Sequence, residues 1–181
     1  MEVVPLTLYP NYCKQLSKML FKEWSDNYIK YSPWHSAELL QTNYLEKQNK
    51  RINTFILRNK SSKKLIGCFT LNTSFFKLYL YDVFIVPSYR RNKFGSKLLK
   101  MAIDISKQKY PNYSKLYLYI FDINLIKFYS KFGFQIDVNY SDSMNRKRLS
   151  LIINKNNYLR YIIIIILLFI LLIIIWKMRL L

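Results

Sequence analysis

The stretch from Val83 to Leu99 combines three features that together could bind an anion. Leu78 to Val86 is almost wholly apolar and is followed by a proline, which predicts a buried strand. A polar turn follows, and the next segment has apolar residues at helical spacing. The first amides of a helix have no internal acceptor, and the helix dipole favours negative charge there. The turn also carries the basic residues Arg90, Arg91 and Lys93. The stretch is therefore a candidate phosphate site, and the alternative is an ordinary solvated basic turn.

The same stretch resembles the cofactor-binding motif of the GNAT acetyltransferases, Arg/Gln-x-x-Gly-x-Gly/Ala, which Pro-x-x commonly precedes. The residues in register are Pro87, Arg90, Phe94, Gly95, Ser96, Leu98 and Leu99. The resemblance implies that the loop wraps the pyrophosphate of acetyl-coenzyme A with Arg90, Arg91, Asn92, Lys93, Phe94, Gly95 and Ser96. It also implies that the strand before the loop offers backbone groups to the pantetheine from Val83, Phe84 and Ile85. Lys93 departs from the pattern, because a glycine is usual there; its side chain either crowds the phosphates or pairs with them.

A second motif runs from Asp122 to Phe134 and resembles the GNAT pattern Asn-x-x-Ala-x-x-Leu-Tyr-x-Lys-x-Gly-Phe. The residues that match in identity and spacing are Tyr129, Lys131, Gly133 and Phe134. Asp122 occupies the position of the family asparagine that contacts the cofactor, and Asn124 lies two residues further on. The resemblance makes both residues candidate cofactor contacts, and the substitution puts that contact in question.

The second motif also supplies a candidate acid. The resemblance implies that Tyr129 lies near the cofactor sulfur and protonates the leaving thiolate, since a phenol is a suitable acid for a thiolate. The alternative is that Tyr129 only packs, in a chain with 16 tyrosines.

Acetyl transfer to an amine also needs a base. Asp82 is the one carboxylate in the apolar strand. Apolar neighbours would raise its pKa, and a carboxylate with a raised pKa is a better proton acceptor. The alternative is a structural or outward-facing side chain. In this family the region from the first to the second helix borders the acceptor pocket. That region here contains Glu23, Trp24, Trp34 and His35.

Composition limits the other possibilities. The 181 residues carry a net charge of +19, which attracts anions such as nucleotides, nucleic acid or acidic lipids. The basic residues are spread along the chain, which argues against a dedicated nucleic-acid site. Cys13 and Cys68 lie far apart among apolar residues, which indicates reduced core thiols, and His35 is the single histidine, so a metal site is not expected.

The chain in order predicts a mixed, mostly antiparallel α/β sheet with flanking helices, and this order matches the GNAT order over residues 1 to 154. The predicted helices are Tyr12 to Trp24, Ala37 to Gln48, Gly95 to about Tyr110 and Asn124 to Phe132, with Ser25 to Pro33 as a connection. The predicted strands are Glu2 to Leu8, Ile52 to Arg58, Leu65 to Leu71, Leu78 to Val86, Lys115 to Phe121, Phe134 to Asn139 and Lys147 to Ile153, with a turn from Asn72 to Phe76.

The segment after the domain, residues 155 to 181, predicts a membrane anchor. Tyr161 to Trp176 is 16 residues without a charge, dominated by Ile and Leu. A helix of this length spans about 24 Å, and its flanks extend the span to about residues 159 to 177. Because few residues follow, we expect insertion as in tail-anchored proteins. The short span suits a thin membrane such as the endoplasmic reticulum, with the domain in the cytosol.

The sequence thus predicts a membrane-tethered N-acetyltransferase that moves an acetyl group from acetyl-coenzyme A to a primary amine without a metal. Two alternatives remain at this point. One is a GNAT-fold binding module on a membrane that has lost catalysis, and the other is a basic membrane-tethered protein that binds nucleic acid. The sequence does not name the acceptor amine.

Overall fold

A computed structural model describes residues 1–31, 35–140, 146–154 and 165–170. It contains one seven-stranded sheet in the order β1-β2-β3-β4-β5-β7-β6. The strands are β1 (Glu2–Pro5), β2 (Ile52–Arg58), β3 (Leu65–Ser74), β4 (Lys77–Ile85), β5 (Lys115–Ile120), β6 (Gln135–Ile136) and β7 (Lys147–Ile152). The helices are α1 (Cys13–Tyr31), α2 (Ala37–Leu40), α3 (Phe94–Lys109) and α4 (Leu125–Ser130). The predicted order of elements is confirmed.

All neighbouring strands are antiparallel except β4 and β5, which are parallel. The two faces of the sheet carry separate cores. Leu80, Leu99, Leu118 and Phe134 belong to the core on the α3 face. The core on the other face lies under α1 and α2 and includes Leu16. Alternation along β5 buries Leu116, Leu118 and Ile120 and leaves the tyrosines between them half-buried, as the pattern predicts.

Two helix predictions near the amino terminus were wrong. The first helix does not end at Trp24: non-helical dihedral angles kink it there, and it continues to Tyr31. Ser25 and Asp26, which suggested a loop, are also residues that favour the first turn of a helix. The second helix is capped by Ser36 as predicted but changes after Leu40 into a π-helical turn, Gln41–Leu45, and does not reach Gln48.

The strand ends also differ from the prediction. The first strand ends at Pro5, and a 3-10 turn, Leu6–Leu8, follows it. The turn between β3 and β4 is not the five residues from Asn72 to Phe76: the ladder continues to the pair Ser74 and Lys77, so only two residues form the turn. The penultimate strand has two residues instead of six.

The predicted membrane span lies almost wholly outside the described residues. Residues 165–170 are helical, and each of their side chains is between 47% and 66% exposed. Within the stretches that the structure describes, no helix is both long enough and apolar enough to cross a membrane.

Candidate active site

The cleft at the centre of the sheet arises because β4 and β5 separate. Their parallel ladder joins only Leu78 to Leu116 and Tyr79 to Tyr117. Beyond these pairs the two strands diverge towards their carboxyl ends and enclose a cavity of about 430 Å³. The lining is mostly apolar or aromatic, and its residues are Trp24, Leu80, Tyr81, Asp82, Val83, Leu118, Tyr119, Ile120, Phe121, Asp122, Leu125, Tyr129 and Arg146.

A bulge in β4 shapes one wall of the cavity. In the ladder with β3, Cys68 pairs with Phe84 and Thr70 with Tyr81, so β4 has one extra residue between these pairs. Asp82 lies in this bulge with a φ of 51°, a left-handed conformation that few residues other than glycine adopt. Its carboxylate accepts a hydrogen bond of 2.9 Å from the Tyr44 hydroxyl, in the π-helical turn. The fold therefore brings Asp82 to the cavity and holds its carboxylate from a second element.

Tyr129 lies on α4 and is 7% exposed. Its ring packs edge-to-face against Phe128 and Phe134. Gly133, with a φ of 87°, ends the turn after α4 and folds Phe134 back under the ring, as its predicted C′ position requires. Burial raises the pKa of Tyr129 to about 12, so the phenol keeps its proton at every physiological pH.

We expect the protein to lose stability at alkaline pH. Burial raises the pKa of Tyr129 from 10.0 to about 12. Burial also raises the pKa of Cys13 from 9.0 to about 11, with a smaller contribution from the negative charge of Glu46. Because the unfolded chain releases these protons first, the stability they contribute is complete below about pH 9 and is lost towards about pH 12. Urea unfolding at about pH 8 and about pH 11 measures the loss, and Tyr129→Phe should reduce it by about 1 kcal/mol. Equal losses in both proteins would contradict the burial of the phenol.

The loop between β4 and α3 has the conformation of an anion-binding turn. Arg91 and Lys93 both have positive φ, 65° and 61°, and the first amides of α3 follow directly with no side-chain cap. Left-handed residues beside helical ones turn successive amides to one side. Lys93 thus holds the backbone conformation that the usual glycine would adopt.

Arg90 does not extend into this turn. Its Nε donates to the Ile85 carbonyl at 2.9 Å, and its guanidinium pairs with the Glu23 carboxylate at 2.7 Å. The side chain therefore ties the loop to β4 and α1. Arg91 and Lys93 are exposed in the same turn, and their positive charges lie beside its amides.

The two predicted cofactor contacts near the start of α4, Asp122 and Asn124, lie in different environments. Asp122 lines the cavity, and its carboxylate also accepts a 2.9 Å hydrogen bond from the Asn124 amide. Asn124 is exposed and does not line the cavity. Of the residues predicted near the acceptor, Trp24 lines the cavity and His35 is exposed, whereas Trp34 lies outside the described residues.

Sequence reasoning missed an aromatic and cationic cluster on the open face of β4, β5 and β7. Tyr79 stacks on Tyr81 and Tyr119 at 5.7 and 5.8 Å, and the Arg146 guanidinium lies 4.5 Å from the Tyr119 ring centre. Burial is the main cause that raises the pKa of Tyr81, and the neighbouring Tyr119 and Tyr79 raise it further. Tyrosines alternate along two adjacent strands, and this alternation could have predicted that their rings share one face of the sheet. This cluster forms the aromatic side of the cavity.

Comparisons with known proteins show the family. The sequence model of the Acetyltransferase (GNAT) family matches residues 14–134, well over half of the chain. The chain therefore belongs to this family and is an acetyltransferase with acetyl-coenzyme A as its acetyl donor. A comparison with curated proteins gave no match. Among the described residues, no group of three or more histidines, cysteines and carboxylates could hold a metal ion.

Solved structures show the same fold at low identity. Mutant forms of the spermidine/spermine N-acetyltransferase from Vibrio cholerae are 18% identical, with a TM-score of 0.62, over 88% of this chain and 99% of theirs. An aminoglycoside 6′-N-acetyltransferase complexed with coenzyme A is 14% identical, with a TM-score of 0.66, over 86% and 98%. The ribosomal-protein-S18-alanine N-acetyltransferase from Escherichia coli is 18% identical, with a TM-score of 0.58, over 85% and 94%. The GNAT-type fold is confirmed.

Proposed function

We propose that this protein transfers the acetyl group of acetyl-coenzyme A to a primary amine in the cavity between β4 and β5. The observation that carries the proposal is the divergence of these strands after Tyr79 and Tyr117, which makes room for substrates between Asp82 and Tyr129. The strand that lines the cavity with residues 80–83, β4, leads directly to the basic turn before α3. This arrangement suits a long substrate with phosphates at one end and a thioester at the other.

The chain's own groups suit the donor substrate. In this proposal the pyrophosphate lies against the amides of residues 90–96, with Arg91 and Lys93 as exposed counter-charges. Val83, Phe84 and Ile85 hold the pantetheine along the part of β4 that β5 does not pair. Asp122 borders the same cavity, whereas Asn124 contributes through the start of α4. Acetyl-coenzyme A, when bound, supplies an activated acetyl thioester.

Two residues move protons in this proposal. Asp82 accepts a proton from the amine at its carboxylate, either directly or through water, while the Tyr44 hydroxyl holds that carboxylate in place. Tyr129 donates a proton from its hydroxyl towards the departing sulfur. The burial that raises the pKa of Tyr129 also disfavours a thiolate beside it, so the tyrosine remains a suitable acid.

The lining of the cavity favours a cationic amine as acceptor. Asp82 and Asp122 supply two carboxylates against one cation among the described residues of the lining, Arg146, which already covers the Tyr119 ring at 4.5 Å. The rings of Trp24 and Tyr81 supply further aromatic surface that attracts cations. The names of the structural neighbours include a polyamine, an aminoglycoside and a ribosomal alanine terminus, all of which carry amines. We therefore place the acceptor among small or peptidic primary amines.

The proposal is tested by acceptor profiling of the full-length protein. Labelled acetyl-coenzyme A is incubated with polyamines, aminoglycosides, lysine-containing peptides and peptides with free amino termini. Transfer to at least one class, lost in Asp82→Asn, supports the proposal. Coenzyme A binding without transfer to any amine would favour the non-catalytic module. Steeply salt-dependent binding of oligonucleotides that coenzyme A does not displace would favour the nucleic-acid alternative.

We also propose that residues 161–176 tether the protein to a membrane, with the domain on the cytosolic side. The 16 uncharged residues carry this proposal, together with six helical residues whose apolar side chains are about half exposed or more. A contiguous exposed apolar surface of this kind is typical of a site that contacts lipid or another protein. The shortness of the span favours a thin bilayer such as that of the endoplasmic reticulum.

Phe169→Arg is expected to release much of the protein from membranes. Phe169 is 66% exposed at the middle of the apolar run. An arginine at the centre of a span costs about 2.5–3.5 kcal/mol, whereas each Ile or Leu contributes only about 0.3–0.6 kcal/mol. Carbonate extraction followed by immunoblotting measures the soluble fraction, and the acetylation activity of the released protein should persist. A parent protein that carbonate already extracts would contradict the tether.

A further inference from the structure

Two fully exposed phenylalanines form the tip of the β3–β4 hairpin. Phe75 is 91% exposed and Phe76 is 100% exposed. They are the two residues of the turn between the paired Ser74 and Lys77. Both have positive φ, 46° and 60°.

Phenylalanine at these two positions is unfavourable for two reasons, the backbone conformation and the exposure to water. A two-residue hairpin with positive φ at both positions favours Asn-Gly or similar pairs, and a bulky residue in that conformation is strained. Each ring also exposes a large apolar surface to water. An apolar partner that covers the tip would remove the exposure of both rings to water and offset the backbone strain.

The strand registers place this tip at the end of the sheet where the chain leaves the domain. Leu78 pairs with Leu116, next to the pair Lys115 and Ile152. Ile152, at the end of β7, is 57% exposed. Asn154 is tied to the same end, because its side chain donates to the Tyr113 carbonyl at 3.0 Å. Asn154, the last described residue of the domain, therefore lies at the same end of the sheet as the Phe75–Phe76 tip.

The tip is surrounded by positive charge. Arg51 adjoins it, because the Thr73 amide donates to the Arg51 carbonyl at 2.8 Å. Lys77 and Lys115 are the first residues of β4 and β5 at the same end, and Lys50 lies two residues before β2. Neither residues 47–81 nor residues 105–121 contain an acidic residue. Aromatic rings inside a basic rim match the surface of a bilayer with anionic headgroups.

We infer that the Phe75–Phe76 tip inserts into the interface of an anionic bilayer, with Lys50, Arg51, Lys77 and Lys115 against the headgroups. The choice of a bilayer rests on the tether proposed above, and the insertion itself does not depend on acetyl transfer. Asp82 follows Phe76 by six strand residues, about 20 Å. Insertion would therefore hold Asp82, in the cavity lining, about 20 Å along β4 from the inserted tip.

Site-specific fluorescence tests the insertion in the full-length protein. Phe76→Cys is labelled with an environment-sensitive dye, and Ser61→Cys, in the turn at the opposite end of β3, is the matched control. The native Cys13 and Cys68 are buried and escape labelling. In vesicles of phosphatidylcholine and phosphatidylserine, lipid-borne nitroxides should quench position 76 roughly threefold more than position 61. Equal quenching on vesicle-bound protein, or failure of the protein to bind vesicles, would overturn the inference.

A second variant separates lipid from protein as the covering partner. Phe75→Asn combined with Phe76→Gly installs the preferred turn and is made in the Phe169→Arg background, where the proposed tether no longer holds the protein on the membrane. Relative to Phe169→Arg alone, its thermal midpoint should rise while its salt-resistant binding to the same vesicles falls. The readouts have opposite signs, so misfolding cannot imitate the expected result. A Phe169→Arg protein that dimerises in detergent, and becomes monomeric in this variant, would show that a second copy covers the tip and would overturn the inference. Since neither readout uses activity, failure here is distinguishable from failure of the acetyl-transfer proposal.

Discussion

Replacing Tyr129 with phenylalanine is expected to lower turnover about a hundredfold while leaving the affinity for coenzyme A nearly unchanged. The ring keeps its contacts with Phe128 and Phe134, because these are made by the aromatic edge and faces. Only the hydroxyl, the proposed proton donor, is removed. Steady-state kinetics together with calorimetric titration of coenzyme A separate the two effects.

Tyr113→Phe is the matched control for Tyr129→Phe. Tyr113 also packs at the edge of the core on the α3 face, but it does not line the cavity. Turnover of this control should equal that of the parent. Full turnover in Tyr129→Phe would assign Tyr129 to packing alone, and equal losses in the two variants would point to a general effect on the fold.

Gly67→Ala is expected to destabilise the protein by about 3 kcal/mol. A Cβ atom at Gly67 would lie 2.3 Å from the Phe84 carbonyl oxygen and 2.8 Å from Ile85 Cδ1. The first of these neighbours is backbone, so relief requires β3 and β4 to move apart. Because the bulge at Asp82 lies between the same strands, cofactor affinity should fall as well. Urea unfolding followed by circular dichroism measures the change.

Gly95→Ala is the control for Gly67→Ala. The nearest atoms to a Cβ at Gly95 are Phe128 Cζ and Ile85 Cγ1, at 3.8 and 3.9 Å, which is ordinary contact. Alanine is also the better residue within a helix, so stability should stay the same or rise slightly. An unfolding midpoint of Gly67→Ala equal to that of the parent would contradict the close approach of β3 and β4.

Local patterns in the sequence were sufficient to predict much of the fold. Ile52 to Arg58 is bounded by polar turns and was predicted to the residue. Gly133 was predicted as the helix terminator and has the positive φ that this position requires. The close packing or bulge suggested by Gly67 is also present. Each of these signals depends on the residue type and its immediate neighbours.

The features of the fold that sequence reasoning missed have no distinctive residue type or spacing. The π-helical turn follows an α-helical start, and a hydrogen bond from the Thr42 hydroxyl to the Glu38 carbonyl accompanies the change. The two-residue hairpin has no Asn-Gly signal, because phenylalanines occupy the turn. Neither feature has a periodicity that a sequence pattern could reveal.

The candidate site likewise has residues that local motifs indicate and contacts that no local motif indicates. The motifs made Tyr129 and the loop from Arg90 to Ser96 candidates, because their spacing is local, and their roles stay predictions. The partnership of Asp82 with Tyr44 joins residues 38 positions apart, and the pairing of Arg90 with Glu23 joins two other elements. These contacts exist only once α1 and the π-helical turn pack on the sheet.

The location of the cofactor site is the central claim, and calorimetric titration of coenzyme A tests it most directly. The measurement compares the parent with Arg91→Glu Lys93→Glu, whose altered side chains are exposed. The matched variant is Lys107→Glu Lys109→Glu, which makes the same charge change at the far end of α3, about 24 Å away. We predict that reversal at Arg91 and Lys93 weakens binding at least tenfold, about 1.4 kcal/mol, while the matched variant binds nearly as the parent does. Unchanged affinity in the first variant, or equal losses in both, would contradict the assignment of the pyrophosphate to this turn.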